Sequence, residues 1–226
     1  MNHPAPGKSV TDMAEMPVYH VCLPCEACPA DAQVMRLGWR ALPDGLLAPK
    51  GALPCGVLHI SGTLPPDAEA FAQTAAAECR RLGAKGLFLD VSPDAPSAAA
   101  VKALRAFGLT VYAPFCDGGV IPTYADPVDP QTEAPFALAL TWRAAQTELG
   151  GHEAVKRSIR PAELRALIRD HAPQTAFSRE LLANYCTLHA GGKTLFLLFD
   201  SEETMQMRLT RAQDSGACAC FLAGSP

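Results

Sequence analysis

Gly83-Ala-Lys-Gly-Leu-Phe-Leu-Asp90-Val-Ser92-Pro93 is the stretch whose reading decides the fold. Residues 87–91 form an apolar run interrupted only by Asp90. A strand buried on both faces of an α/β protein reads this way, with a polar group delivered near its carboxyl end. Upstream, residues 56–61 read as another strand. Pro65-Pro66-Asp67 then opens a helix with Ala68, Phe71, Ala75, Cys79 and Leu82 on one face, and Gly83 ends it. Downstream the same logic repeats. Residues 94–97 begin a helix with Val101, Leu104 and Phe107 inward, Gly108 stops it, and residues 109–115 form the next strand. Two successive βα repeats predict a parallel sheet with right-handed crossovers, with 87–91 as a central strand between 57–61 and 110–115.

Working outward, residues 1–16 are polar, contain Pro4, Pro6 and Gly7, and show no period, so they are expected to form a flexible tail. Residues 17–24 supply a first short strand, and 35–47 supply two more around the turn Pro43-Asp44-Gly45. This N-terminal third has to fit two βα units into roughly forty residues, so at least one helix is expected to be missing there. Residues 116–133 read as a long loop, 135–142 as a buried strand, and 143–157 as a helix broken at Gly150-Gly151. Pro161 opens a short helix with Leu164, Leu167 and Ile168 inward. Residues 185–188 and 193–199 form a hairpin about His189-Ala-Gly-Gly192. Asp200 with Glu203 then resembles a capping box for a last helix, and 217–222 form the last strand.

The 226 residues are 49% apolar, enough to bury most of the unfolded surface in one domain, expected over residues 17–226. A net charge of −4 without runs of one sign argues against nucleic acid as a partner. No apolar stretch has the length of a membrane span or a secretory leader, which points to a cytoplasmic protein with no membrane partner. Nine cysteines in that setting suit reduced thiols used partly as core residues.

From Gly56 onward the chain resembles glycoside hydrolase family 18, the chitinases and their spore-cortex-lytic relatives. The family's fourth strand ends D-G-x-D-x-D-x-E, and here the run is Lys85-Gly86-Leu87-Phe88-Leu89-Asp90-Val91-Ser92. Gly86 and Asp90 match, whereas Lys85, Phe88 and Ser92 stand where the family has acids. Residues 57–62, with His59, Ser61 and Gly62, sit where its third strand carries S-x-G-G. Residues 138–143 resemble its sixth-strand M-x-Y-D, with Trp142 keeping an aromatic and Arg143 replacing the acid. Cys220 or Phe221 stands at its closing Trp. The resemblance implies an α/β fold of the TIM-like (β/α)8 type, small or irregular in its N-terminal third, and a glycan ligand. It also implies lost chemistry, because the last Glu of the motif protonates the glycosidic oxygen and a serine hydroxyl does not do so near neutral pH.

Asp90 is therefore the candidate substrate-positioning acid, its alternative being a carboxylate satisfied at a strand end. His59, Tyr112 and Trp142 are the other candidate substrate-binding residues, and no residue is assigned as catalytic. A second reading keeps the barrel and gives it another reaction, with Asp90 joined by a loop acid such as Asp117 or Asp126. A third builds a metal–thiolate protein on Cys22, Cys25 and Cys28, whose C-x-x-C-x-x-C spacing suits zinc or part of an iron–sulfur cluster with His20 or Cys55 completing the set. The ferredoxin continuation fails at Ala32 and no second C-x-x-C pair exists, so neither a metal nor another cofactor is assigned. The run ending Gly192-Lys193-Thr194 fails as a phosphate loop because Thr187 stands at its first glycine. Cys116 with Asp117, and Ser92 with His59, are formal nucleophile pairs without a distinguishing spacing.

Overall fold

The structure is a computed structural model that describes residues 16–28, 31–92, 94–113, 120–123, 135–150 and 155–224. The strand at the centre of the sequence argument is β5 (Gly86–Val91), counted after β1 (Val18–Cys22), β2 (Gln33–Leu42), β3 (Gly45–Leu47) and β4 (Val57–Gly62). It runs parallel to β4, which places Ser61 beside Asp90. On its other side it runs parallel to β6 (Thr110–Tyr112), which places Tyr112 beside Phe88. With β7 (Ile121–Thr123), β8 (Phe136–Thr141) and the last strand (Ala219–Ala223), the order is β6, β5, β4, β2, β1, last strand, β8, β7, every neighbour parallel. The two ends of that path meet at one parallel bridge, Tyr112 to Val120. There the Val120 N–H donates to the Val111 carbonyl at 2.8 Å, and the Ala113 N–H donates to that of Val120 at 2.9 Å. The result is a curled, TIM-like parallel sheet.

Strand alternation divides the side chains between a bore and an outer layer. Met35, Val57, Phe88, Tyr112, Ala137, Ala219 and Phe221 pack together in the bore. Leu58, Ile60, Leu87 and Leu89 point outward onto α1 (Ala68–Leu82) and α2 (Ala95–Ala106), meeting Phe71, Ala75, Cys79 and Leu104. Each such Leu, Ile or Phe contributes about 1.5–3 kcal/mol by leaving water, which is what holds two helices against a doubly buried sheet. The caps fall where the sequence places them. Asp67 accepts from the Ala70 N–H, Asp94 accepts from the Ser97 N–H, and Gly83 closes α1 at φ 73°.

Among the described residues of the parallel sheet, helices directly follow only β4 and β5, and one more precedes the last strand, so the eightfold βα alternation is reduced. The N-terminal third has no helix there: β2 turns back through β3, paired antiparallel to it. One extra residue lies in β2 between Arg36 and Trp39, where its register on β4 shifts. Residues 1–15 of the expected tail lie outside the described residues, while Met16 is buried in a cluster with Phe136 and Leu138.

Between β8 and the last strand the chain builds a second layer: β9 (Ala144–Leu149), β10 (Val155–Ser158), α3 (Pro161–His171), β11 (Ala176–Ser178), β12 (Ala183–Ala190) and β13 (Lys193–Phe199). These strands form an antiparallel sheet in the order β10, β9, β13, β12, β11. The helix expected over 143–157 is thus overturned. The Ala, Gln and Glu of 144–149 favour helix locally, but β13 and β10 hydrogen-bond both edges of the segment, and pairing to the apolar strand β13 outweighs propensity. After this layer come α4 (Glu202–Asp214) and β14 (Ala219–Ala223), the last strand. The order of parallel strands also corrects the count. Residues 138–141 lie on the seventh strand, next to β14, and the sixth is β7. No helix among the described residues is long and apolar enough to cross a membrane.

Candidate functional site

Asp90 is the last inward residue of β5, and alternation lifts it above the aromatic filling of the bore. Its side chain is 62% exposed and lies 3.5 Å from His59 Nε2, at the long limit of a hydrogen bond. The acid inside an apolar strand therefore stands in water at the mouth rather than in the core. His59 is more sheltered and lies over the Phe88 ring at 5.4 Å. Burial pushes its pKa below the ordinary imidazole value, against a smaller upward pull from Asp90, so the ring is neutral at neutral pH.

Tyr112 lies one layer deeper, level with Phe88. Its ring meets Phe221 edge-on at 4.9 Å, Phe88 meets Phe221 at 5.0 Å, and Tyr19 stacks on Phe221 at 5.6 Å. Tyr19 and Tyr112 share a hydrogen bond, and burial raises both phenols above the ordinary range. Four aromatic rings thus fill the bore, with Phe221 of β14 at their centre. The opening above them holds His59, Ser61 and Asp90 from β4 and β5.

Ser92 follows Asp90 on the strand's line and is exposed, its carbonyl accepting from Ser97 Oγ at 2.7 Å. The next carboxylate in the chain, Asp94, accepts from both the N–H and the hydroxyl of Ser97 at the start of α2. Those two bonds hold its carboxyl below the usual range, so it stays ionised.

Trp142 stands elsewhere, at the junction of the two layers. Its N–H donates to the Ala223 carbonyl, and its side chain lies against Gly224. Here a cleft of about 550 Å³ opens between the carboxyl ends of β8 and β14 and the start of the second sheet, lined by Trp142, Arg143, Lys156, Ser158, Leu164 and Leu198 among others. Beneath it is a group of charges that sequence reasoning misassigned. Asp200, with no exposed side-chain surface, accepts from the Arg143 N–H at 2.8 Å, from Arg143 Nη2 at 2.9 Å and from Arg208 Nη1 at 2.6 Å. Arg143 also donates to the Leu182 carbonyl, and Arg208 to that of Thr141. Asp200 is therefore not the cap of α4. Ser201 is, in a reciprocal capping box with Thr204. Arg143, which occupies the place of an acid in the family motif, is the partner of a buried carboxylate.

The three thiols near the first strand do not converge. The Cys22 and Cys28 sulfurs lie in contact with each other. The Cys25 thiol donates to the Lys50 and Gly51 carbonyls, 3.4 Å from each. The buried Arg36 guanidinium holds this loop by donating to the Leu23, Glu26 and Pro54 carbonyls. No group of three metal-ligating side chains occurs among the described residues. Cys116, Asp117 and Asp126 lie outside those residues.

No protein-family model and no curated protein matches this sequence. Solved structures do match. The C-terminal domain of a Desulfitobacterium hafniense DCB-2 protein assigned as a chitinase superposes with a TM-score of 0.62 at 9% identity, over 93% of each chain. The Bacillus cereus spore cortex-lytic enzyme SleL does so with a TM-score of 0.58 at 10% identity, over 92% of this chain and 71% of its own. A glycoside hydrolase family 18 N-acetylglucosaminidase from Paenibacillus barengoltzii gives 0.55 at 8% identity, over 84% of this chain and 87% of its own. Identities this low show a shared fold: this chain has a scaffold like that of family 18.

Proposed function

We propose that this chain is a glycan-binding relative of the family 18 hydrolases that no longer cleaves glycosidic bonds. The observation carrying this reading is the way β5 ends: Phe88 fills the bore, Asp90 stands at the mouth beside a neutral histidine, and Ser92 follows. Retaining hydrolysis needs a protonated carboxyl group at the leaving oxygen, and removing a general acid alone typically takes away ~10²–10⁴ in rate. Asp94, four residues beyond Asp90, is ionised and committed to capping α2, so it does not replace that acid. Asp90 and His59 remain as a polar pair suited to the hydroxyl and amide groups of an N-acetylated sugar. The likeness to SleL suggests a role in spore-wall chemistry.

The purified protein is expected to release nothing from chitin oligosaccharides or peptidoglycan strands, yet to bind N-acetylglucosamine oligomers in a calorimetric titration, with affinity reduced in Asp90→Asn. Turnover by the wild type that disappears in Asp90→Asn would overturn this reading. It would favour a different reaction in which Asp90 works with a loop acid such as Asp117 or Asp126.

A further inference from the structure

The cleft of about 550 Å³ at the layer junction is a different environment from the barrel mouth. Backbone bonds between segments tie its walls in place: the Trp142 N–H donates to the Ala223 carbonyl, the Ile159 N–H to that of Ala144 at 2.8 Å, and the Asp200 N–H to that of Arg143 at 2.9 Å. Much of the lining is aliphatic, from Ala145, Ile159, Pro161, Leu164 and Leu198. Two flat groups stand among these side chains. One is the Trp142 indole, half-buried against the cluster that holds Leu140 and Leu222. The other is the Arg143 guanidinium, whose Nε and Nη2 are committed to Asp200 and to the Leu182 carbonyl. With that edge used and 23% of the side chain exposed, the guanidinium offers the cleft its Nη1 corner and its planar face. On β10, Lys156 and Ser158 sit two residues apart and so line the cleft from one face of the strand. A concave, mostly apolar, preformed site with a few converging polar groups is the form small-ligand sites take.

We infer that this cleft binds a small planar aromatic molecule, of one or two rings, with a polar substituent at one end. The site is separate from the barrel mouth and does not rest on the glycan reading. A flat ring gains from both planar groups: it stacks on the Trp142 indole, and its π-electrons meet the positive face of Arg143. The aliphatic wall takes the remaining ring surface, and a hydroxyl or carboxylate substituent reaches Ser158 and Lys156. A sugar is disfavoured by the same wall. Its hydroxyl groups would lie against Ile159, Pro161, Leu164 and Leu198, which neither donate nor accept, and giving up water without a partner is costly. An acyl chain would fill apolar space but gain nothing from either flat group.

The test is calorimetric titration of the purified protein with three probes: naphthalene-2-carboxylate, decanoate and diacetylchitobiose. Tryptophan emission gives a second readout, because the other indole, Trp39, has no exposed surface and stands on the helix side of the parallel sheet, so a change in emission reports on Trp142. Naphthalene-2-carboxylate is expected to bind one per chain, about tenfold more tightly than decanoate, and to change that emission. Diacetylchitobiose should not displace it. Trp142→Leu should weaken its binding about tenfold, whereas Trp142→Phe keeps a ring and most of the affinity. Ala145→Phe, which pushes a side chain into the cleft from β9, should abolish binding and tests the site independently if the Trp142 variants do not fold. Equal affinity for decanoate, displacement by diacetylchitobiose, binding that survives Ala145→Phe, or no binding at all overturns the inference. Failure of the naphthalene-2-carboxylate titration leaves the glycan reading where it stands, since that reading is tested with N-acetylglucosamine oligomers and Asp90→Asn.

Discussion

Two carboxylates sit just at or past the ends of strands in this molecule, and their surroundings could hardly differ more. Asp90 is the last inward residue of β5, at the barrel mouth, 62% exposed, with one neutral histidine 3.5 Å away. Asp200 follows β13 at the layer junction, with none of its side-chain surface exposed and two arginines bound to it. In sequence both read as an acid at or near the end of an apolar run, Leu-Asp and Phe-Asp. The difference lies in what is packed beyond each strand end: water above a bore filled by aromatic rings, or a second layer that must be joined to the first. An acid after a strand therefore marks a site or a joint according to the neighbouring element, which local sequence does not specify.

Replacing the joint should have the largest effect. Asp200→Ala leaves Arg143 and Arg208 in a buried place without their carboxylate, and a loss of about 3–5 kcal/mol is expected in urea unfolding. A loss below about 1 kcal/mol would mean that the arginines reach water easily and that the junction is not a joint. Beneath the mouth, Phe221→Ala removes the ring that Tyr19, Phe88 and Tyr112 all contact, and about 3 kcal/mol should be lost. A near-neutral result would show that the bore collapses or hydrates readily and belongs to the pocket, not to the core.

Smaller changes separate the roles of neighbouring residues. Ser201→Ala should cost about 1 kcal/mol, since Ser201 caps α4. If Asp200 were the cap instead, that substitution would be silent. Asp90→Asn should change stability by less than about 0.5 kcal/mol, as expected where the carboxylate of the pair is mostly exposed. The same change should lower the His59 pKa further, because it removes the carboxylate that partly offsets burial. For a histidine with a depressed folded-state pKa the unfolded chain binds more protons. The protein should then lose stability as pH falls from the ordinary imidazole value towards the folded-state one, and NMR titration of the His59 ring would show the displacement directly.

The barrel half of the chain was legible because its signals are local. The run 87–91, the Asp67 and Asp94 caps and Gly83 each specify their own segment, and β5 lies where that pattern predicts, between β4 and β6. The second layer was not, because 144–149 is a strand only in the presence of β13, which arrives more than forty residues later. The site divides in the same way. His59 and Asp90 come together because their strands are adjacent and in register, as expected from neighbouring βα units. Tyr112 lies a layer deeper and Trp142 at the far junction, since the side a residue faces follows from register and strand count, and the count was off by one at β8. A signal for the joint was present: Arg143 and Asp200 each border an apolar run, where an unpaired charge would be costly.

The extra residue in β2 also has a consequence for the volume of the bore. Up to Arg36 the strand keeps step with β4, and from Trp39 onward it is one residue out, so the indole takes the outward parity of Arg36. Trp39 is consequently enclosed on the helix side of the sheet, with no exposed surface, and its Nε1 donates to Glu78 of α1 at 2.9 Å. Had the strand stayed in phase, that ring would have pointed along the row of Met35 and Leu37 into a bore where Phe221 already touches three other rings. Five aromatic side chains do not fit where four close the space, so the irregularity acts as a phase shifter that settles which side of the wall the largest residue occupies.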